Sequence, residues 1–184
     1  MPIARCQKSI VDGNRLAASS QLFIETSNSN KKNIDVSLLS VQGNEYFMKQ
    51  ALVEAQKAYD SDEVPVGAVI VSDGRIIARA HNQTEMLTDV TAHAEILAIT
   101  AASDYLGSKY LSKCTLYITL EPCNMCAGAI FWSQLGKIVY GAGDDKRGFM
   151  RYGKEVLHPK TKVEFGIMHD ECSGLIKKYF QGKR

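Results

Sequence analysis

The sequence predicts an α/β protein in which helices cover both faces of one layered sheet. After a single hairpin, helical patterns alternate with strand-length apolar runs to the end of the chain, an order typical of layered α/β sheets. The 184 residues are 45% hydrophobic and 23% charged, a composition that can bury one sizeable core. No internal repeat interrupts this pattern.

The first half of the fold is predicted to be a helix followed by a β-hairpin. Apolar residues recur at helical spacing over residues 44–60, which predicts the first helix. Residues 64–71 form an apolar strand run, and Asp73-Gly74 is a strong signal for a tight turn. Residues 75–80 are therefore expected to return beside that strand as its hairpin partner.

The second half is predicted to alternate helices and strands. A helix over residues 92–106 is expected to be capped by Asp89 or Thr91. The later elements are, in order, a strand at 114–120, a helix at 123–135, a strand at 137–141, a polar basic loop at 144–160, a strand at 163–167 and a helix at 170–180. Helix starts thus follow loops and strand ends, the rim where open α/β sheets place ligands.

The N-terminal segment differs from the rest of the chain. Residues 1–43 are rich in Ser and Asn and have no sustained apolar period, and residues 27–33 are almost entirely polar. Such a composition buries too little apolar surface to offset the entropy of ordering. We therefore predict a disordered N-terminal extension, residues 1–43, followed by a folded domain, residues 44–184.

The charge distribution and the cysteines bear on the partners and the compartment. The formal net charge is +2, but residues 144–184 hold ten Lys or Arg against six Asp or Glu. A basic end suits a polyanion such as nucleic acid, although a solvated surface is an equal alternative for this feature alone.

No apolar run has transmembrane length, so no membrane is expected. Five cysteines do not make a disulfide framework, and metal ligation predicts a reducing compartment, the cytoplasm.

A Pro-Cys-x-x-Cys motif lies at the predicted start of the second helix after the hairpin. Cys123 and Cys126 are one turn apart, so both thiols can reach one ion. The partial positive charge of the helix N-terminus favours the thiolate, which is the form that binds zinc. Alone, the motif could equally be a redox pair or two buried thiols.

A third ligand is available thirty residues upstream, in His93-Ala94-Glu95. His93, Cys123 and Cys126 together give zinc three protein ligands and leave one position open for water, the layout of a catalytic site. A lone His-x-Glu is common by chance. The ordered pair, H-x-E followed by P-C-x-x-C, is the known signature of zinc nucleobase deaminases. We therefore predict that the folded domain, residues 44–184, is a zinc-dependent deaminase domain.

Glu95 is expected to act as the proton shuttle and not as a ligand. It would take a proton from the attacking water and deliver it to the ring nitrogen and then to the leaving amine. Since Glu95 is two residues from His93, His93 must precede the regular helix if both serve one site.

Other polar and aromatic residues are predicted to have structural roles outside the site. Glu121 is expected to be structural, because one proton shuttle suffices. Phe131 and Trp132 are expected in the core, with a dimer contact as the alternative. The residues assigned no part in the site are Cys6, Cys114, Cys172, His81, His158 and His169.

Several longer stretches place the chain in a family. They are Glu63-Val64-Pro65-Val66-Gly67-Ala68-Val69, Ala80-His81-Asn82, Thr91-Ala92-His93-Ala94-Glu95-Ile96, residues 115–130 and Val139-Tyr140-Gly141-Ala142. With them, residues 46–180 resemble the bacterial tRNA-specific adenosine deaminases, which convert adenosine to inosine at the anticodon wobble position. The zinc motif is shared with cytidine and guanine deaminases, and the flanking stretches point to the tRNA branch.

The resemblance implies a cytidine-deaminase-like fold, with a five-stranded mixed sheet between helices in an α/β/α sandwich. It also implies one zinc ion per subunit and a homodimer whose interface helps to form the tRNA site. Asn82 would contact the flipped base, and Asp144 would lie near the anticodon backbone. Residues 144–160 depart from the family pattern, since this loop is shorter and lacks the usual Gly-Ser-Leu segment.

The sequence is compatible with three functions. The leading one is zinc-dependent deamination of adenosine in a tRNA anticodon stem-loop. Its phosphates would meet basic residues near the site and in the C-terminal tail, namely Lys146, Arg147, Arg151, Lys177, Lys178, Lys183 and Arg184. The second is a small-molecule deaminase of guanine or a cytosine nucleoside with the same zinc site. The third, a non-catalytic RNA-binding subunit, is disfavoured because Glu95 is present.

Overall fold

A computed structural model describes residues 43–183. The helices are α1 (Asn44–Asp60), α2 (Ala94–Leu106), α3 (Asn124–Trp132) and α4 (His169–Gly182). The strands are β1 (Gly67–Ser72), β2 (Arg75–His81), β3 (Thr115–Leu120), β4 (Lys137–Ala142) and β5 (Lys162–Phe165). Residues 1–42, including Cys6 and nearly all of the predicted extension, lie outside the described part, as does Arg184.

The five strands form one mixed sheet in the order β2-β1-β3-β4-β5. β1 is antiparallel to both β2 and β3, whereas β3, β4 and β5 run parallel to one another. The hairpin turns at Asp73 and Gly74, which both have positive φ, as a two-residue turn between right-twisted strands requires. The α/β class, the hairpin and the five-stranded mixed sheet are thus confirmed.

Helices cover both faces of the sheet and make three layers. α2 and α3 pack on one face over a core that includes Ala98, Leu116 and Ile130. α1 and α4 pack on the other face around Phe47 and Cys172. None of the helices between residues 43 and 183 combines the length and the apolar character that crossing a bilayer requires.

A glycine sets the close approach of α1 to the sheet. A Cβ on Gly67 would lie 2.1 Å from the carbonyl oxygen of Ala51 and 2.2 Å from the backbone nitrogen of Ala55. Only a residue without a side chain lets the helix backbone sit directly on the first strand. Gly67 therefore sets how closely α1 packs on β1.

The structure corrects two details of the helix that carries the His-x-Glu motif. α2 begins at Ala94, and its N-cap is His93, not Asp89 or Thr91. Asp89 instead accepts hydrogen bonds from the backbone nitrogen (2.8 Å) and the hydroxyl (2.7 Å) of Thr91, two residues on. Because that carboxylate closes a local turn, it is unavailable to cap the helix.

Three other boundaries or environments also differ from the predictions. α3 ends at Trp132, and the side chain of Trp132 is 77% exposed, so its assignment to the core is wrong. Phe131, beside it, is only partly buried. The predicted loop over residues 144–160 contains two short 3-10 turns, Phe149–Tyr152 and Lys154–Val156.

Candidate active site

Three side chains with metal-binding atoms meet at the starts of α2 and α3. Nδ1 of His93 lies 3.8 Å from Sγ of Cys123 and 3.5 Å from Sγ of Cys126. All three ligand atoms lie within 4.8 Å of one another, so the group could hold a metal ion. His93 and Cys123 are partly exposed and Cys126 is buried, which leaves one side of the group open.

The backbone explains how distant residues converge here. His93 (φ −72°, ψ 151°) and Cys123 (φ −74°, ψ 172°) are the N-caps of their helices and both have extended backbone. Each accepts the first helical hydrogen bond through its carbonyl oxygen, from Leu97 and Ala127 respectively. Because His93 precedes the regular helix, it and Glu95 can serve one site despite being two residues apart.

The two thiols have opposite tendencies towards ionisation. A hydrogen bond from the Cys126 thiol, supported by His93, lowers the pKa of Cys123 to about 4. The pKa of Cys126 is raised, because its thiol donates that bond and is buried. The hydrogen bond with Cys123 also raises the pKa of His93. The arrangement therefore favours the thiolate at Cys123, which is the form of cysteine that binds a metal ion.

Glu95 lies in the first turn of α2 and is only 4% exposed. Burial raises the pKa of its carboxyl to about 7, against the opposing effects of its own backbone N–H and of His93. The thiol of Cys126 is another neighbour. A carboxyl with a pKa near neutrality can both accept and release a proton at physiological pH.

Asn82, directly after β2, is 5% exposed and belongs to a hydrogen-bond network around Glu63. Nδ2 of Asn82 lies 3.3 Å from Oγ1 of Thr84 and 3.5 Å from Oε2 of Glu63. Glu63 also accepts hydrogen bonds from Thr84 Oγ1 (3.0 Å) and from the backbone nitrogens of Glu85 (2.8 Å) and Met86 (2.9 Å). Glu63 thus holds the loop after β2.

Sequence reasoning did not assign a role to Glu63. The available signal was that Glu63, the last residue of an acidic stretch, directly precedes the apolar run of the first strand. A carboxylate at such a position must be exposed or paired, and here it is 1% exposed. Its partners lie about twenty residues further along, so no local pattern identifies them.

Glu121 and Asp144 organise the loop that follows β4. Glu121 accepts hydrogen bonds from the backbone nitrogens of Asp144 (3.0 Å) and Met150 (2.9 Å), so its expected structural role agrees with these contacts. The carboxylate of Asp144 accepts from the backbone nitrogens of Lys146 (2.9 Å) and Arg147 (3.0 Å). Asp144 therefore shapes its own loop through these bonds.

The remaining histidines and cysteines of the described chain lie outside this group. Nδ1 of His81 lies 3.5 Å from a carboxylate oxygen of Glu54, and the ring of His158 packs edge-on against Phe131. Cys114 and Cys172 are buried free thiols, and burial raises the pKa of Cys172 to about 12. These positions agree with their exclusion from the site.

Three of the basic residues proposed to meet RNA already have partners within the protein. Nη1 of Arg151 donates to the carbonyl oxygens of Asp145 (2.9 Å) and Lys146 (3.0 Å). Nζ of Lys183 lies 2.6 Å from a carboxylate oxygen of Asp62, and this hydrogen bond raises the pKa of Lys183. Nζ of Lys178 lies 4.9 Å from the ring centre of Tyr59. Arg147, on the loop next to the site, has no carboxylate within 4 Å among residues 43–183.

The chain is similar to known deaminases over almost all of its described part. A family model described as MafB19-like deaminase matches residues 42–182. A tRNA-specific adenosine deaminase from Agrobacterium fabrum is 44% identical over 144 residues, which cover 76% of this chain and 95% of the relative. This level of identity across nearly the whole relative indicates common ancestry and a shared fold.

Solved structures give the same picture. A structure from work on A-to-I editing by tRNA:A34 deaminases at the wobble position of transfer RNA has a TM-score of 0.67 and 44% identity. The match covers 71% of this chain and 98% of that one. A guanine deaminase from Nitrosomonas europaea has a TM-score of 0.64 at 26% identity, covering 74% and 84% of the two chains.

Proposed function

The chain belongs to the tRNA-specific adenosine deaminases, and from that premise we propose that it converts adenosine to inosine at the wobble position of a tRNA anticodon. The observation that carries the proposal is the meeting of His93, Cys123 and Cys126 beside the buried carboxyl of Glu95. Metal ligands with one open side and a carboxyl poised near neutrality are the parts that hydrolytic deamination needs.

His93, Cys123 and Cys126 would hold one zinc ion per chain. A tetrahedral zinc, with bonds of about 2.3 Å to sulfur and about 2.0–2.1 Å to nitrogen, separates such ligands by about 3.6 Å. The observed separations of 3.5 Å and 3.8 Å between Nδ1 of His93 and the two sulfurs fit that requirement. When bound, zinc would lower the pKa of a coordinated water towards about 7.

Glu95 would move the protons of the reaction. Its carboxylate would take one proton from the water that attacks the carbon bearing the exocyclic amine and give it to the ring nitrogen. It would then take the second proton of that water, from the new hydroxyl group, and give it to the departing amine. Water and adenosine thereby give inosine and ammonia. The pKa of about 7 lets the same group act as base and then as acid at neutral pH.

Asn82 and the loop that begins at Asp144 would contact the RNA. The target base must leave its stack to reach the pocket, which costs least in an unpaired loop such as an anticodon. Asn82 would then bind the base edge, and Asp144 would lie near the anticodon backbone. Lys146 and Arg147 follow Asp144 in the same loop and can meet phosphates there.

We also propose a homodimer in the cytoplasm. The exposed indole of Trp132 and the ring of Phe131, 5.5 Å apart between centres, give α3 an apolar end that a second copy could cover. The cysteines of the metal group must stay reduced, which a cytoplasmic environment provides. Sedimentation analysis of the purified protein and of Trp132→Ala tests the dimer.

Metal content is the first measurement. The purified protein should contain about one zinc ion per chain, and Cys123→Ala should lose both zinc and activity. Cys114→Ala is the matched control, because Cys114 is a buried thiol outside the metal group. An active protein with far less than one zinc per chain would contradict the assignment.

The substrate is the second measurement. An anticodon stem-loop containing adenosine, free guanine and free cytidine are offered separately, and inosine, xanthine and uridine are scored. We expect inosine from the stem-loop only. The alternative function is deamination of guanine, and the observation that supports it is the similarity to the Nitrosomonas enzyme. Ready turnover of guanine, with no reaction of the stem-loop, would establish this alternative.

Salt dependence tests the phosphate contacts. Stem-loop affinity should fall as salt rises, and each lost phosphate contact should flatten the logarithmic slope by about 0.7–0.9. Arg147→Gln should lower the slope in this way without loss of zinc. Lys178→Gln should have a smaller effect, because Lys178 lies against Tyr59. Lys49→Gln, an exposed change on the opposite face, is the control.

A further inference from the structure

The hydrogen bonds at Glu63 all run from donors in the loop after β2 to the Glu63 carboxylate. An ionised carboxylate accepts hydrogen bonds and donates none. The backbone nitrogens of Glu85 and Met86 donate to Oε1, so the loop is anchored to this oxygen. Oε2 faces the hydroxyl of Thr84 at 3.0 Å. The Thr84 hydroxyl must therefore donate its single proton to Glu63.

This commitment of the Thr84 hydroxyl determines what it can offer to Asn82. With its proton directed at Glu63, Oγ1 has only lone pairs left. The group of Asn82 that lies 3.3 Å away must then be the amide NH2, and the 3.5 Å distance from the same NH2 to Glu63 agrees. The amide oxygen consequently lies on the side away from Glu63, and the amide cannot flip without losing both partners.

We propose that Glu63, acting through the hydroxyl of Thr84, is the positioning residue for Asn82. These two hydrogen bonds, from Thr84 to Glu63 and from Asn82 to Thr84, form a relay. The relay holds the Asn82 amide in one orientation, so that Asn82 presents a single pattern of donor and acceptor to the substrate base. This inference rests on the proposed function, in which Asn82 contacts the base. It adds Glu63 and Thr84, which act through Asn82, to the residues that determine how productively the base is bound.

The loop geometry gives the relay a second consequence. The backbone nitrogen of Gln83, between Asn82 and Thr84, donates to the carbonyl oxygen of Ala92 at 3.0 Å, and Ala92 directly precedes His93. The loop that Glu63 anchors is therefore joined to the segment carrying a metal ligand. Changes confined to the Thr84 hydroxyl leave this backbone contact and the two N–H bonds to Glu63 intact.

Thr84→Val is the sharpest test, because valine keeps the shape of threonine and removes only the hydroxyl. We expect kcat/KM on the anticodon stem-loop to fall about 3- to 10-fold, the effect of one hydrogen bond. Zinc content should not change. Thr84→Ser keeps the relay and should retain most of the activity. Thr100→Val, an exposed change of the same type on α2, is the matched control and should behave as wild type.

A double-mutant cycle separates positioning from general damage. In an Asn82→Ala background, measured by single turnover, the relay has nothing to orient, so Thr84→Val should have little further effect. The same fold-loss in both backgrounds would overturn the proposal, as would Thr84→Val protein with wild-type kcat/KM. If the wild-type protein itself leaves the stem-loop adenosine unchanged, the proposed function fails, and that outcome is distinct from either result.

Discussion

Two buried carboxylates of this molecule have opposite environments. Glu63, between α1 and β1, is 1% exposed and faces four donor groups from the loop after β2. Glu95, at the start of α2, is 4% exposed, and burial raises the pKa of its carboxyl to about 7. A carboxylate surrounded by donors builds structure, whereas one that is buried with fewer donors remains able to exchange a proton. Burial alone therefore does not identify which carboxylate takes part in the proton transfers of the reaction.

The strongest test of this contrast is Glu95→Gln. The variant keeps the size of the side chain and removes its capacity to carry a proton, so turnover should fall by about 10²–10⁴-fold or more. Zinc content and melting temperature should stay close to those of the wild type. Stem-loop deamination, metal analysis and thermal unfolding measure the three properties, and activity near the wild-type level would refute the role given to Glu95.

Glu63→Ala should affect stability where Glu95→Gln does not. Removing the carboxylate leaves the loop N–H groups and the Thr84 hydroxyl without their acceptor, which should cost about 2 kcal/mol in the free energy of unfolding. Denaturant titration measures it. Glu85→Ala is the control in the same loop, because its exposed side chain can be removed while its N–H still meets Glu63. Equal stability of the two variants would break the comparison.

Glu121→Gln should give a smaller effect of the same structural kind. A glutamine can accept from only one of the two backbone nitrogens, of Asp144 and Met150, that now donate to Glu121. We expect a loss of about 1 kcal/mol in stability and a kcat within about 3-fold of the wild type. A loss of turnover as large as that of Glu95→Gln would move Glu121 into the chemistry.

The smallest effect is expected from deleting residues 1–42. The predicted extension has too little apolar surface to contribute to a core, so activity, zinc content and melting temperature should all be unchanged. Side-by-side assays of the full chain and of residues 43–184 test this. Lost solubility or activity in the shorter protein would show that the segment is a working part of the protein.

Sequence patterns predicted most of the fold because the patterns are local. Hydrophobic periodicity located the helices and strands, and the Asp73-Gly74 pair located the hairpin turn. The three candidate metal ligands were found because cysteine and histidine spacing is a strong and specific signal. That they meet in space is a finding of the structure, since thirty residues separate His93 from Cys123.

The misses share a physical reason. Which side chain caps α2, whether Trp132 is covered and what pairs with Glu63 depend on contacts between segments that are distant in sequence. The sequence favoured Asp89 as a cap, but its carboxylate instead accepts hydrogen bonds from Thr91. Trp132 is apolar like a core residue, yet it lies at the last turn of α3, where nothing in residues 43–183 buries it.

The strand order also sets how the chain reaches this structure. The β1–β2 hairpin joins neighbours through two residues, and such hairpins form in about 1–10 μs. β1 and β3 must pair across a much longer loop, since Val71 faces Thr115, 44 residues further along, and closing that loop costs chain entropy before any contact rewards it. His93 lies inside this loop, and Cys123 lies just beyond it. A refolding chain should therefore form its hairpin early and bring the candidate metal ligands together only late, once the central strands have paired.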